Sequence, residues 1–152
     1  MKAKQSIEEI QSALQARSSW PLCPEKVFDS DLTAAIEALD EPDVVKAGLH
    51  MLNDDLARSH EHAQKHEGDK TCDYWHAIVH RREGDFDNAK YWLGQVGRHP
   101  VLSRVYDGGP AAAIEFVHRC RDADPSKLPA LEATQRREML GLLAYARGPS
   151  HE

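Results

Sequence analysis

The polar residues with the clearest chemical pattern lie in the run DYWHAIVHRRE, residues 73–83. On a helix, His76 and His80 are one turn apart, so both imidazoles can offer nitrogens to one ion. Glu83 falls on the same side at about 100° per residue and could complete three protein ligands. Three protein ligands with an open fourth position are typical of a hydrolytic metal site. The sequence therefore suggests a divalent metal ion as a cofactor, bound by His76, His80 and Glu83.

Two other interpretations of the same run stay open. The HxxxH pair lacks the central glutamate of the HExxH pattern, and a chain with nine histidines forms such pairs readily by chance. The histidines and carboxylates could instead hydrogen-bond one another on a solvated or interhelical face. The guanidinium groups of Arg81 and Arg82 suit carboxylates or phosphates and, with Lys90, would hold a small anionic ligand.

The preceding segment, NDDLARSHEHAQKH, offers a third histidine. His60 lies four residues after Leu56 and continues the apolar stripe of its helix, so we expect it to be at least partly buried. Antiparallel packing against the helix at 72–83 would bring His60, with Asp55 and Ser59, towards His76 and His80. Glu83 and Asp55 would then orient the two imidazoles. Two further histidines lie off the stripe and are expected to face solvent: His62 and His66.

Aromatic residues concentrate around the same run, although the chain as a whole is only 7% aromatic. Tyr74, Trp75, Phe86, Tyr91 and Trp92 fall within nineteen residues, which predicts a packing centre there. The two tryptophans lie on apolar faces and are expected in the core. Tyr91 points about 100° away from Trp92 and is the better candidate to present a hydroxyl to a ligand.

Helical spacing recurs along most of the chain. Ile7, Ile10 and Leu14 follow a possible cap at Ser6, and Pro42 suits the first turn of a long helix. The pattern is less clear through 101–109. The predicted helices cover about 6–17, a short segment after residue 31, 43–66, 72–83, 87–97, a segment opened by Pro110, and a last helix ending near 145.

These elements predict an all-α fold, a compact bundle of six or seven helices built from antiparallel hairpins in a single domain over 1–152. The segment 72–100, two helices joined by a Gly-Asp-Phe turn, is similar to a tetratricopeptide hairpin. Similarity at a period of 34 residues is missing elsewhere, so the sequence does not support a repeat array.

Composition limits the partners and the compartment. The net charge of −6 argues against a nucleic-acid partner. Cys23, Cys72 and Cys120 are odd in number and form no CxxC pair, which favours a reducing cytoplasm over a disulfide framework or a zinc knuckle. The longest uncharged apolar stretch is 139–146, too short to span a membrane. A protein partner stays possible.

Three motifs, NDDLARSH at 53–60, YWHAIVHRREGDFDNAKYW at 74–92 and VGRHPV at 96–101, resemble the signature of a family of small proteins from bacteria and fungi. That signature reads approximately NDDLxxSH, YWHAIxHRREGDFxNAKYW and VGxHPV. The segments at 112–120 and 133–140 match more loosely, and an alanine-rich stretch replaces a Trp-Asp-Pro type segment of the family. The resemblance implies no reaction, but it implies these site residues: Asn53, Asp54, Asp55, Ser59, His60, His76, His80, Arg81, Arg82, Glu83, Asn88, Lys90, Tyr91 and His99.

Two classes of function follow. The first is a polar His/Arg/Glu pocket that binds a small anionic ligand or a divalent metal ion and could be enzymatic, with His76 and His80 ligating or transferring protons. The second is a tetratricopeptide-like interaction module, which would need an exposed apolar or aromatic groove. Candidate ligand-binding residues of the first class are Asp55, His60, His76, His80, Arg81, Arg82, Glu83, Lys90 and Tyr91.

Overall fold

A computed structural model describes residues 4–148, and all of the regular structure in that range is helical. The fold is therefore all-α, as the helical spacing predicts. The helices of the described range are α1 (Ile7–Gln15), α2 (Ser30–Glu37), α3 (Asp43–Leu52), α4 (Leu56–Gln64), α5 (Lys70–Arg82), α6 (Phe86–Val96), α7 (Pro100–Val105), α8 (Pro110–Arg121) and α9 (Leu128–Arg147).

Helix α1 begins where its sequence predicts. The Ser6 hydroxyl accepts from the Glu9 backbone N–H, and the Glu9 carboxylate accepts from the Ser6 backbone N–H, which forms a capping box. Ile7, Ile10 and Leu14 are buried on one face. Local chemistry and apolar spacing agree here, so this prediction is confirmed.

The prediction of one helix over 43–66 is wrong, because the chain breaks between α3 and α4. Asp54 adopts a φ of 58°, a left-handed conformation that ends the helix. The Asp55 carboxylate then accepts from the Arg58 backbone N–H and starts α4. The Asn53 side chain bonds both the N–H and the C=O of Asp29. The Asp55 carboxylate thus pairs a free N–H of the first turn of α4, and Asn53 ties the break to the start of α2.

The described range contains nine helices, more than the six or seven predicted from the sequence. The break between α3 and α4 accounts for one of the two additional helices. The other is α7, in the stretch whose spacing was unclear, where the His99 ring accepts from the Val101 backbone N–H. No helix in residues 4–148 is both long and apolar enough to cross a bilayer.

The hairpin of α5 and α6 is the packing centre that the aromatic cluster predicts. Tyr74 and Trp75 are completely buried, and α5 packs against α3, α4 and α6. The turn between the two helices needs a left-handed residue, which Gly84 supplies with a φ of 86°. This arrangement brings one face of α4 against α5, where the candidate site lies.

Candidate metal centre

Three histidines from two adjacent helices converge on one point. His60 lies on α4, and His76 and His80 lie one turn apart on α5. The Nε2 atoms of His60 and His76 are 3.1 Å apart, and the ring centroids of His60 and His80 are 5.6 Å apart. His60 is partly buried and the three rings lie close together, as the sequence predicts. One nitrogen from each ring lies within 4.8 Å of the other two.

His76 is the buried member of this triad, with 4% of its surface exposed. Its ring stacks on Trp92 of α6 with centroids 3.9 Å apart. Burial, with smaller contributions from His60 and His80, lowers the pKa of His76 to about 4. The imidazole is therefore neutral at pH 7 and has a lone pair to offer a ligand.

His80 is held from behind by a carboxylate. Its Nδ1 lies 2.6 Å from Glu83 Oε1, at the end of α5. An ionised carboxylate only accepts hydrogen bonds, so in the neutral ring Nδ1 carries the proton and Nε2 keeps its lone pair. Histidines that bind metals usually donate their other N–H to a carboxylate in this way, which fixes the ring and makes it a stronger ligand.

The spacing within the triad suits a small divalent ion. Two nitrogens bound tetrahedrally to one zinc, each about 2.05 Å from it, lie roughly 3.3 Å apart. The 3.1 Å between His60 and His76 is close to that value, and it is also the length of the hydrogen bond that the two rings form with each other. His60 and His80 are only partly buried, which leaves the outer side of the triad accessible to water.

Glu83, the third ligand proposed from the sequence, takes a different place in the structure. It bonds Nδ1 of the His80 ring, and His60 is the third member of the histidine cluster. Glu83 also belongs to an alternative set with His80 and Asp85 on the exposed turn after α5. The three-histidine set has the more buried members.

Asp55 and Ser59, expected beside the histidines, bond elsewhere. The Asp55 carboxylate caps α4 and accepts from the Thr33 hydroxyl, and the Ser59 hydroxyl donates to the Ala47 carbonyl. Both groups hold α4 in place and neither bonds a histidine of the triad. The expectation that Asp55 orients His76 and His80 therefore does not fit their hydrogen bonds.

The prediction that Arg81 and Arg82 bind an anionic ligand needs correction. Arg81 is paired with Glu138 at 2.6 Å, and Arg82 is paired with Asp54 at 2.8 Å and donates to the Met51 carbonyl. Both guanidinium groups are buried. Their sequence neighbours Glu83 and Asp85 are not the partners, because α5 directs both arginines into the protein.

The remaining candidates lie on α6 or at turns. Lys90 is 3.7 Å from Asp87 on its own helix, and Tyr91 is 58% exposed with its ring against the edge of Trp92. Their roles in ligand binding stay predictions. Four other residues implied by the family resemblance lie near helix ends and are hydrogen-bonded within the protein: Asn53 to Asp29, Asp54 to Arg17, Asn88 to Asp85, and His99 to Val101.

The sequence did not predict the surroundings of two residues, Trp92 at the site and His62 on another face of α4. Trp92 is only half-buried and covers His76, although its apolar face predicts a core residue. His62, expected to face solvent, is buried between Glu37 and Asp43. His62 does lie off the apolar stripe of α4, but residues of α2 and α3 cover the face of α4 on which it lies. His66 is exposed, as expected.

Comparisons with family models, curated proteins and solved structures found no match to this chain.

Proposed function

We propose that this protein binds a divalent first-row metal ion through His60, His76 and His80 and keeps one position of that ion open to water or a small ligand. The observation that carries the proposal is the convergence of three imidazoles, one of them backed by Glu83. Neutral imidazole is a good ligand for zinc, copper, iron and nickel. Three nitrogen ligands with an open position define a catalytic type of site, in contrast to a closed structural site.

A metal ion bound by the three histidines would supply Lewis acidity and would lower the pKa of a bound water to about 7. The residues of the chain supply the rest. Glu83 fixes the His80 ring, and Trp92 stacks on His76 and shields one face of that ring from water. Arg81 and Arg82 are already paired with Glu138 and Asp54 inside the protein and are not available to an anionic ligand. The positive charge that attracts such a ligand would therefore come from the metal ion. Hydrolysis is the reaction class that this arrangement favours.

The interaction module gains less support from the structure. Large exposed apolar side chains in the described range are Phe28, Tyr91 and Tyr145, which come from a loop, α6 and α9. Scattered residues of this kind are normal on a protein surface and do not form the groove that a tetratricopeptide-like module would use. We infer a cytoplasmic location from the cysteines, since Cys23, Cys72 and Cys120 are all free.

Equilibrium dialysis against zinc at pH 7.5, followed by elemental analysis, tests the proposal on protein without a histidine tag. His80→Ala should lower the bound zinc by about one ion per chain, because it removes one of three ligands. His118→Ala is the matched control, since His118 lies on α8 and pairs with Glu115. Equal zinc contents in the two variants would refute the proposal.

A conservative variant tests the geometry more finely. Glu83→Gln keeps the size of the side chain but replaces the carboxylate behind His80 with a neutral amide. Loss of such an outer partner should weaken zinc binding about 10–100-fold without changing the number of sites. An unchanged affinity would show that Glu83 does not support a ligand.

A further inference from the structure

A second histidine cluster lies on another side of α4, formed by one residue from each of three helices. Glu37 ends α2, His50 lies in α3, and His62 lies in α4. His62 is two residues after His60, so the two rings point about 200° apart around the helix. This cluster is therefore separate from the triad of His60, His76 and His80.

The two histidine Nε2 atoms of this cluster both lie within hydrogen-bond distance of the same carboxylate oxygen. Glu37 Oε2 lies 3.0 Å from His50 Nε2 and 2.6 Å from His62 Nε2. All three ligand atoms lie within 4.8 Å of one another. His50 is completely buried, whereas the Glu37 side chain is 35% exposed, which gives an ion a route in from solvent.

The outer nitrogen of His62 is held as in a metal-binding histidine. Its Nδ1 lies 2.7 Å from Asp43 Oδ1, and the other oxygen of Asp43 lies 2.7 Å from His66 Nε2. A carboxylate behind a ligating imidazole is the usual outer partner of such a site. The acidic groups are balanced by two weaker contacts, from Arg58 to Glu37 at 3.9 Å and from Lys65 to Asp43 at 3.8 Å.

Two histidines and one carboxylate form a ligand set with well-defined metal preferences. The set suits zinc in its tetrahedral sites and iron(II) in facial sites. Without a metal ion, two protons must occupy the space between the imidazoles and the single oxygen of Glu37. A divalent ion would replace both protons, and His62 Nε2 and Glu37 Oε2 would then separate from their hydrogen-bond distance of 2.6 Å to the roughly 3.3 Å of two ligands on one ion.

We infer that Glu37, His50 and His62 form a second divalent-metal site, which ties α2 to α3 and α4. Each ligand comes from a different helix, so the ion would act as a cross-link among the three. The site would stabilise the fold, since a ligand set from three elements exists only in the folded chain. The inference stands apart from the function proposed above, because the two ligand sets share no residue.

Zinc stoichiometry after dialysis at pH 7.5 separates the two sites. The unaltered protein should bind about two ions per chain, and Glu37→Gln about one. Glu61→Gln is the matched control, because Glu61 is an exposed acid of α4 that pairs with Arg58. In a His80→Ala background, adding Glu37→Gln should remove the remaining ion. Equal zinc contents for Glu37→Gln and Glu61→Gln would overturn the second site and leave the first untouched.

Hydrogen exchange gives a readout that does not rely on a folded Glu37 variant. Zinc added to the His80→Ala protein should slow amide exchange in α2, whose last residue is Glu37. Asp43→Asn should shift that protection to zinc concentrations about 10–100-fold higher, because it removes the outer partner of His62. Unchanged exchange in α2 at saturating zinc would refute the cross-link.

Discussion

His99 shows how a single residue can make stability depend on pH. Its ring is buried, its Nδ1 accepts from the Val101 backbone N–H, and its Nε2 lies 3.1 Å from the Thr71 hydroxyl. The accepting Nδ1 must be unprotonated, so the proton of the neutral ring is on Nε2. Burial lowers the pKa of His99, and the nearby Arg104 lowers it further, against an opposing effect of Asp69.

We predict that His99→Asn reduces the loss of stability on acidification. An unfolded histidine takes up a proton near pH 6.5, whereas the folded protein resists it, so the unfolded state binds more protons below that pH. This histidine therefore costs stability as the pH falls below about 6.5, by at most about 1.4 kcal/mol per pH unit. Asparagine can still cap α7 but does not titrate.

Urea unfolding between pH 7.5 and 5, with a chelator present, measures this effect. The free energy of unfolding of His99→Asn should fall less steeply with pH than that of the unaltered protein. His118→Asn, on α8, is the control for the loss of a partly exposed imidazole. Parallel curves for all three proteins would contradict the prediction.

Residue spacing predicted the core of the candidate site but not its surroundings. His76 and His80 are adjacent on any helix, and His60 followed from its place in a stripe, so local rules were enough. The burial of Arg81 depends on Glu138, 57 residues away, which no local pattern reveals. The burial of His62 likewise depends on residues of other helices, Glu37 of α2 and Asp43 of α3.

At the level of elements, α3 and α5 approach closely at a glycine. An added Cβ on Gly48 would lie 2.6 Å from the Trp75 ring and 3.1 Å from Leu143 of α9. The Trp75 indole is fixed there, because its N–H donates to the Val44 carbonyl. Gly48 is thus required for space and not for a special backbone conformation.

We predict opposite effects for two glycine-to-alanine changes in helices. Gly48→Ala should destabilise the protein by about 1–3 kcal/mol, because the indole cannot move without losing its hydrogen bond. Gly94→Ala in α6 adds a methyl group with no atom within 4 Å. It should stabilise the protein by about 0.5–1 kcal/mol through helix propensity.

Denaturant midpoints of the two variants check this pair. Both changes add the same methyl group to a helix, so each serves as the control for the other. A loss of stability in both variants would show that helix propensity does not govern Gly94, and a gain in both would show that α3 and α5 can separate at little cost.

Helix boundaries were predictable where side chains act locally. The capping box of Ser6 and Glu9 is visible in the sequence and sets the start of α1. The break between α3 and α4 was not predictable by periodicity, since Leu52 and Leu56 keep helical spacing across it. It is stabilised by distant groups, including Arg17 and Arg82, which both bind the Asp54 carboxylate.

Across the whole molecule, α5 and α9 are joined by a buried charge pair. Arg81 donates to Glu138 and to the Gln135 side chain, and the Tyr74 hydroxyl also donates to Glu138 at 2.6 Å. Burial alone would lower the pKa of Arg81, but the carboxylate of Glu138 outweighs it and raises the pKa. Arg81 therefore stays charged inside the protein, and its charge depends on the contact with Glu138.

We predict that Glu138→Gln destabilises the protein by about 3–5 kcal/mol, because it leaves a buried guanidinium without its counter-charge. Urea unfolding at pH 7.5 measures the loss, and Glu115→Gln on the surface of α8 should cost less than about 0.5 kcal/mol. The double variant Arg81→Met/Glu138→Leu should recover most of the stability, since removing both charges also removes the cost of burying them. If the double variant were as unstable as Glu138→Gln alone, the unpaired charge would not be the cause of the loss.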